Sequence, residues 1–243
     1  MIFTKTQGYV MKKILAILSL ILVFSLLLGV MVACSPANDG NPPADDGNPP
    51  DSTPKTFVKA DGVRLLDHEG EPLGLMGTNL GGWLVQEQWL CPTETGGEIA
   101  QLDIYLTLYN RFGEDKAEEL VGVYEDNWVT EQDFASIKAL GLNCVRIPFT
   151  YMNFMNPLIY DEATSTWVVK DYADLTWRED AFDRLDWALE MCEKYEIYAI
   201  LDLHGAVGSQ SGQDHTGDIS EKVGRLWRED AIGQTCREKT KEL

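Results

Sequence analysis

Gly141-Leu142-Asn143-Cys144-Val145-Arg146-Ile147-Pro148 is the stretch that decides the fold. Asn143 to Pro148 is a short apolar run with one charge near its end. A strand wetted on one face alternates apolar and polar residues, whereas a strand covered on both faces is apolar almost throughout. The run therefore predicts a buried strand of a parallel sheet. Gly141 in front of it ends a preceding helix. That helix opens on Thr130-Glu131-Gln132-Asp133, a start resembling a capping box, and its apolar positions include Phe134, Ile137 and Leu140.

The same pattern extends in both directions. Upstream, Leu75-Met76-Gly77-Thr78-Asn79-Leu80 reads as a buried strand running into Gly81-Gly82. Glu98 to Arg111 and Glu114 to Asn127 show helical spacing of apolar residues. Val63 to Asp67 and Leu73 to Leu75 flank His68-Glu69-Gly70-Glu71-Pro72, which predicts a short hairpin about a glycine turn. Downstream, a long connection leads to a helix over Asp180 to Glu193, with Phe182, Leu185, Leu189 and Cys192 near one face. Tyr198 to Leu203 is a third buried strand, followed by a polar, glycine-rich loop from His204 to Gly217. A last helix is expected to begin near Ile219, with Leu226, Trp227 and Ile232 apolar, and the tail Cys236 to Leu243 is polar on all sides.

Strand, helix, strand, helix, strand implies an α/β fold with a parallel sheet. A doubly wound sheet and a barrel both fit that order. No G-x-G-x-x-G follows the first strand, which argues against a dinucleotide site. Polar groups gather instead at the C-terminal ends of the strands: Asn79, Arg146 and His204. A β/α barrel keeps its active site there. The expectation is the N-terminal part of a (β/α)8 TIM barrel, with about three of its eight strands present.

The front of the chain reads differently. Lys12 and Lys13 precede Ile14 to Ala33, which has no charged residue, and Met31-Val32-Ala33-Cys34 places small residues before a cysteine. The pattern predicts a lipoprotein signal peptide over 1–33 with Cys34 as the lipidated residue; a membrane-spanning helix is the alternative. From Ser35 to Thr56 the sequence repeats Asp39-Gly40-Asn41-Pro42-Pro43 as Asp46-Gly47-Asn48-Pro49-Pro50, with no large apolar residue. Such a segment buries no core. Residues 34–56 are expected to form a disordered linker that could extend on the order of 60 Å. Residues 57–243 form the globular domain. The chain would then be exported and held at a membrane surface by Cys34.

The net charge is −19, and setting aside Lys5, Lys12 and Lys13 leaves 17 basic against 39 acidic residues. A surface of that sign repels polyphosphates and excludes nucleic acid as a natural partner. It is compatible with an uncharged polysaccharide. The five cysteines include no C-x-x-C pair, and no H-x-x-x-H occurs, so neither a dedicated metal site nor a metal cofactor is expected.

Three segments carry a resemblance. Gly77 to Glu87, Gly141 to Pro148 and Asp202-Leu203-His204-Gly205-Ala206-Val207-Gly208-Ser209-Gln210-Ser211-Gly212 are similar, in that order, to motifs of glycoside hydrolase family 5, in its exo-β-1,3-glucanase-like branch. The resemblance spans roughly Val63 to Cys236. It implies a retaining glycosidase acting on β-glucan, most readily β-1,3-glucan, with no cofactor. It further implies that Glu87 bonds hydroxyls of the terminal sugar, Arg146 braces the nucleophilic carboxylate, His204 lines the same subsite, and Asp214 sits in the loop beside it. Asn79 belongs to the same rim. Trp83 is placed with these substrate-binding residues; it and Trp89 could each stack on a sugar ring, although a tryptophan is a core residue at least as often.

Each residue also has a structural reading. Arg146 could neutralise Asp202 as an ion pair, His204 could be a satisfied loop histidine, Glu87 an exposed charge, and Asn79 the support of a tight turn. His68 falls in a turn, and His215 on the third rim loop is undecided.

Retaining hydrolysis needs two carboxyl groups about 5–5.5 Å apart. The resemblance implies the acid/base as the Glu of an Asn-Glu-Pro after the fourth strand and the nucleophile after the seventh. No Asn-Glu dipeptide occurs in the sequence. The expectation is a fragment inactive on its own, with both catalytic glutamates beyond Leu243. The alternative function is a noncatalytic, carbohydrate-binding lipoprotein.

Overall fold

The computed structural model describes residues 57–91, 100–219 and 222–243. Cys34, the signal segment and the linker lie outside the described residues. In chain order the elements are β1 (Lys59–Asp61), β2 (Arg64–Leu66), β3 (Gly77–Asn79), α1 (Gln101–Phe112), α2 (Glu114–Trp128), α3 (Glu131–Ala139), β4 (Cys144–Thr150), β5 (Met155–Asn156), β6 (Leu158–Asp161), β7 (Thr166–Val169), β8 (Thr176–Trp177), α4 (Asp183–Lys194), β9 (Tyr198–Gly205) and α5 (Ala231–Glu242).

Strands β3, β4 and β9 form a parallel sheet in chain order, with Asn79 opposite Arg146 and Pro148 opposite Asp202. These are the three strands expected from the apolar runs, with one correction: β4 is buried as expected, but β3 is exposed and β9 is only half-buried, with Ile200 and Leu201 exposed. Residues two apart share a face of a strand. Val145, Ile147 and Phe149 therefore face one way, into an apolar core with Phe134 of α3 and with Leu185 and Ala188 of α4. Arg146 and Pro148 face the other way. Helices on one face and polar strand ends on the other make a barrel-like α/β fold.

Local sequence explains the helix ends. The Asp133 carboxylate accepts from the Thr130 N–H at 2.8 Å and from the Thr130 hydroxyl at 2.9 Å, so the expected cap forms. Gly141 adopts φ +76° past the end of α3, a conformation glycine takes without a Cβ penalty. The N–H of Leu142 then returns to the Ile137 carbonyl at 3.2 Å and leads the chain into β4.

Three expectations are corrected. The regular hairpin is β1–β2, turning at Gly62, with a further bridge from Leu66 to Pro72. The expected turn after Asp67 also exists, because the Asp67 carboxylate accepts from the N–H groups of Glu69 and Glu71 at 2.9 Å each. The last helix starts at Ala231, not near Ile219, because Asp230 caps it by accepting from Gly233 N–H at 3.1 Å. Its tail is not polar on every side: Cys236 is fully buried, and Leu243 packs against the core. The long connection after β4 holds two small antiparallel pairs, β5–β8 and β6–β7, that the sequence pattern did not predict.

Candidate active site

The register brings the sequence-predicted residues to one end of one face. Arg146 is the centre. Its Nη1 reaches Asn79 Oδ1 at 3.4 Å, and its Nη2 contacts both Asp202 Oδ2 and His204 Nδ1, the latter at 3.0 Å. Asp202 Oδ2 is also 3.0 Å from His204 Nδ1. The ion-pair reading of Arg146 with Asp202 is therefore realised, and His204 is part of the same cluster. All three side chains keep about a third of their surface exposed. That leaves them available to a ligand.

His204 owes its position to an irregularity. Phe149 pairs with Leu203 and Thr150 with Gly205, so His204 is an extra residue on β9. A bulge of this kind redirects a side chain. The freed carbonyl of His204 accepts from Gln210 Nε2 at 2.6 Å, while Gln210 Oε1 accepts from the Ala206 N–H at 3.1 Å. Gln210 thus clips the loop back onto the strand. Ser209 Oγ secures the next turn by accepting from Gly212 N–H at 2.7 Å and meeting Thr216 Oγ1 at 2.6 Å. Leu102 N–H at the start of α1 bonds the Gly217 carbonyl at 2.9 Å and ties the loop's far end to the helix layer.

The loop after β3 forms the second wall. Leu84 bridges to Phe149 in parallel, which continues the sheet edge beyond β3. Gln101 holds this segment to β4 by donating to the Leu84 carbonyl at 3.2 Å and accepting from the Thr150 hydroxyl at 3.3 Å. Gly82, at φ +73°, lies so close to Trp128 that a Cβ there would come within 3.0 Å of the indole. Beyond it, the Glu87 carbonyl closes a turn by accepting from the N–H groups of Leu90 and Cys91 at 2.9 Å each.

An open cleft of about 400 Å³ results, lined by Asn79, Glu87, Trp89, Arg146, Pro148 and His204 among others. Four of the six residues expected at the substrate site thus meet on one cleft. Asp214 does not line it; it opens the turn 214–216, and its neighbour His215 is the residue that reaches His204, with ring centroids 5.5 Å apart.

Trp83 is a correction: it is 1% exposed, donates its indole N–H to the Glu125 carbonyl at 3.0 Å and packs edge-on to Trp187. It is a core residue of the helical layer. Trp89, 73% exposed, holds the position on the rim that Trp83 does not.

A larger cleft of about 510 Å³ lies on the helical side beside Trp83, Glu125, Asp126 and Arg184. Its buried carboxylate is already committed, since Arg184 pairs with both Glu125 and Asp126. No group of His, Cys, Asp and Glu suited to a metal ion occurs among the described residues.

Sequence reasoning gave Asp202 no role beyond neutralising Arg146 and gave Gln210 none of its own. Asp202 stands two residues before His204 on one strand, and the strand's period of two was the signal that they share a face. Nothing local marks the bulge.

A model of the cellulase family (glycosyl hydrolase family 5) matches residues 111–232. A beta-xylosidase of Phanerodontia chrysosporium is 30% identical over 174 residues, which cover 70% of this chain and 32% of that protein. Glucan 1,3-beta-glucosidase 2 of Wickerhamomyces anomalus is 35% identical over 148 residues, 59% of this chain and 31% of that protein. The crystal structure of a rutinosidase from Aspergillus niger aligns with a TM-score of 0.48 at 17% identity, covering 68% of this chain and 42% of that one. The chain spans about a third of the length of the curated relatives it matches.

Proposed function

The chain belongs to glycosyl hydrolase family 5, and from that premise we propose that it forms the sugar-holding side of a β-glucan hydrolase whose barrel and catalytic pair are completed by further strands. One observation carries the reading: Asn79 and His204, near the C-terminal ends of β3 and β9, and Arg146, within β4 between them, open on a cleft shared with Glu87 and Trp89. Amide, guanidinium, imidazole and carboxylate groups beside an exposed aromatic face suit the mixed polar and apolar surface of a pyranose ring. Glucan 1,3-glucosidases among the relatives favour a β-1,3-linked glucan as substrate. Ile200 and Leu201 on β9 are 44% and 48% exposed, which favours another strand beside that edge.

In this reading Glu87 and His204 bond sugar hydroxyls and Trp89 stacks on the ring. Arg146 keeps a neighbouring nucleophilic carboxylate ionised. No Asn-Glu dipeptide, the acid/base signature that the resemblance implies, occurs in the sequence, which supports a chain that binds glucan without cleaving it. Cys34 carries a lipid, residues 1–33 form the signal peptide, and residues 34–56 hold the domain off a membrane outside the cytoplasm.

Calorimetric titration of the 243-residue chain with a β-1,3-linked glucose trisaccharide tests the reading. Binding is expected, weakened about tenfold (about 1.4 kcal/mol) in each of Glu87→Ala, Trp89→Ala and His204→Ala. Unchanged affinity in all three variants would remove the cleft as the sugar site. Release of glucose by the chain alone would overturn the claim that the catalytic pair lies elsewhere. Rim-dependent binding that persists without hydrolysis in the longest natural form would favour a noncatalytic binding lipoprotein.

A further inference from the structure

The cluster at the cleft floor fixes something the glucan reading alone leaves open: the direction of the hydrogen bond that His204 makes. Three atoms stand close together, Arg146 Nη2, Asp202 Oδ2 and His204 Nδ1, with His204 Nδ1 3.0 Å from each of the other two. The two possible acceptors are then separated by only about 65° as seen from Nη2. The two N–H bonds of a planar guanidinium nitrogen diverge by about 120°. One hydrogen can be aimed well at one acceptor, and the other cannot be aimed at the second.

The carboxylate is the stronger claimant. A charged donor to a charged acceptor makes a stronger hydrogen bond than the same donor to a neutral imidazole nitrogen. With the arginine hydrogen on Asp202 Oδ2, a bare Nδ1 would set its lone pair against a carboxylate oxygen 3.0 Å away. A protonated Nδ1 instead donates to that oxygen, which has lone pairs for two donors. Asp202 and His204, two apart on β9, share a face, and the Gln210 clip on the His204 carbonyl holds the backbone in place.

We propose that Asp202 is a positioning residue that holds His204 in the Nδ1–H form, so that Nε2, on the far edge of the ring, meets the cleft as a hydrogen-bond acceptor for a sugar hydroxyl. The inference rests on the glucan-binding reading for its ligand, not for the tautomer. It gives the subsite a polarity. Arg146 can only donate, Glu87 as a carboxylate can only accept, and His204 accepts. A hydroxyl between Arg146 and His204 then takes a hydrogen bond from one and gives one to the other. A ring carbon bearing hydrogen or a carbonyl in place of that hydroxyl leaves Nε2 unmatched. The cleft therefore selects for an intact hydroxyl at that position.

Nitrogen-15 NMR of the histidine-labelled chain decides this. The sequence holds three histidines, and His204→Gln identifies the signal. At about pH 9, where ordinary imidazoles are neutral, the His204 Nδ1 is expected at a protonated, pyrrole-type shift and Nε2 at a bare, pyridine-type shift. In Asp202→Ala, Arg146 is free to meet Nδ1 and the tautomer is expected to reverse. A wild-type spectrum with Nε2 protonated overturns the proposal by itself, whether or not the variant folds. A folded Asp202→Ala chain with the tautomer unchanged overturns it as well, since a merely structural aspartate would leave the ring form alone. Addition of the β-1,3-linked trisaccharide is expected to move the Nε2 shift toward lower frequency. If the sugar binds by calorimetry and Nε2 does not respond, the acceptor role is wrong. If the sugar does not bind at all, the glucan reading and the acceptor role fail together, while the spectra of the free chain still decide what Asp202 does.

Discussion

Glu125 shows how a single residue can tie stability to pH. It is buried in α2, and burial raises its carboxyl to about 7 from an ordinary 4.5, against the opposing pull of Arg184 2.9 Å away. A carboxyl whose pKa rises on folding binds a proton on folding across that interval. Stability is then greatest below about 4.5 and falls as pH rises toward 7, where the charged form must be buried. The full effect is on the order of 3 kcal/mol. Asp67, Glu131, Asp161, Asp180 and Asp230 have lowered values, so their contribution is present above the ordinary carboxylate range and is lost only as pH falls through it. The two windows do not overlap. Glu125→Gln is predicted to flatten the pH dependence of urea unfolding between pH 5 and 7.5. An unchanged slope in the variant would show that Glu125 ionises in the folded chain as it does in the unfolded one.

At the scale of elements, the connection after β4 depends on one side chain from a distant helix. Asn110 of α1 donates to the Trp167 carbonyl at 3.1 Å and accepts from the Trp167 N–H at 2.8 Å, in the way a neighbouring strand would. Tyr109 backs it with an edge-on contact to the Trp167 ring at 4.9 Å. Asn110→Ala leaves both backbone groups of β7 without that partner and is predicted to cost about 1–2 kcal/mol in chemical unfolding. It should also speed amide exchange at Trp167, while the amides of β4 keep their protection.

This dependence explains why the hairpins were illegible in sequence. Strands of two and four residues are too short to display a clear period of two, and the side chain that braces β7 lies 57 residues upstream. The three parallel strands were legible because their sequences are apolar almost throughout, although only β4 is buried here, while β3 and the middle of β9 are exposed. The last helix was misplaced because Leu226 and Trp227 suggested an early start. The cap at Asp230, a visible signal, marks the true one. In the site, Asn79, Arg146 and His204 were legible because polar residues in apolar strands stand out, although Arg146 lies within β4 and not at the end expected for it. Trp83 and Trp89 were not separable, since the same side chain serves core and rim, and only packing distinguishes 1% from 73% exposure.

For the whole molecule, the cysteines connect the folded domain to the segment in front of it. Cys91, Cys144, Cys192 and Cys236 are buried, and burial raises Cys192 and Cys236 to about 11. Thiols of that kind react slowly, because the thiolate is the nucleophile and little of it is present near neutrality. The fifth cysteine, Cys34, follows a charge-free run and precedes a proline-rich, acidic segment, and the lipid proposed on its sulfur would remove it as a thiol. The acidic composition, with net charge −19, also disfavours a purely electrostatic hold on an anionic membrane, so retention at a surface would need an apolar hold: the lipid proposed at Cys34, or the charge-free run itself. Native thiol titration therefore reports on the anchor. Chain produced by a host that processes lipoproteins is predicted to show no reactive thiol before denaturation and four after it, with Cys34 as the first residue by mass spectrometry and a lipid on its sulfur. One reactive thiol in the native protein, lost in Cys34→Ser, would mean that Cys34 is free and that the charge-free run holds the chain by another means.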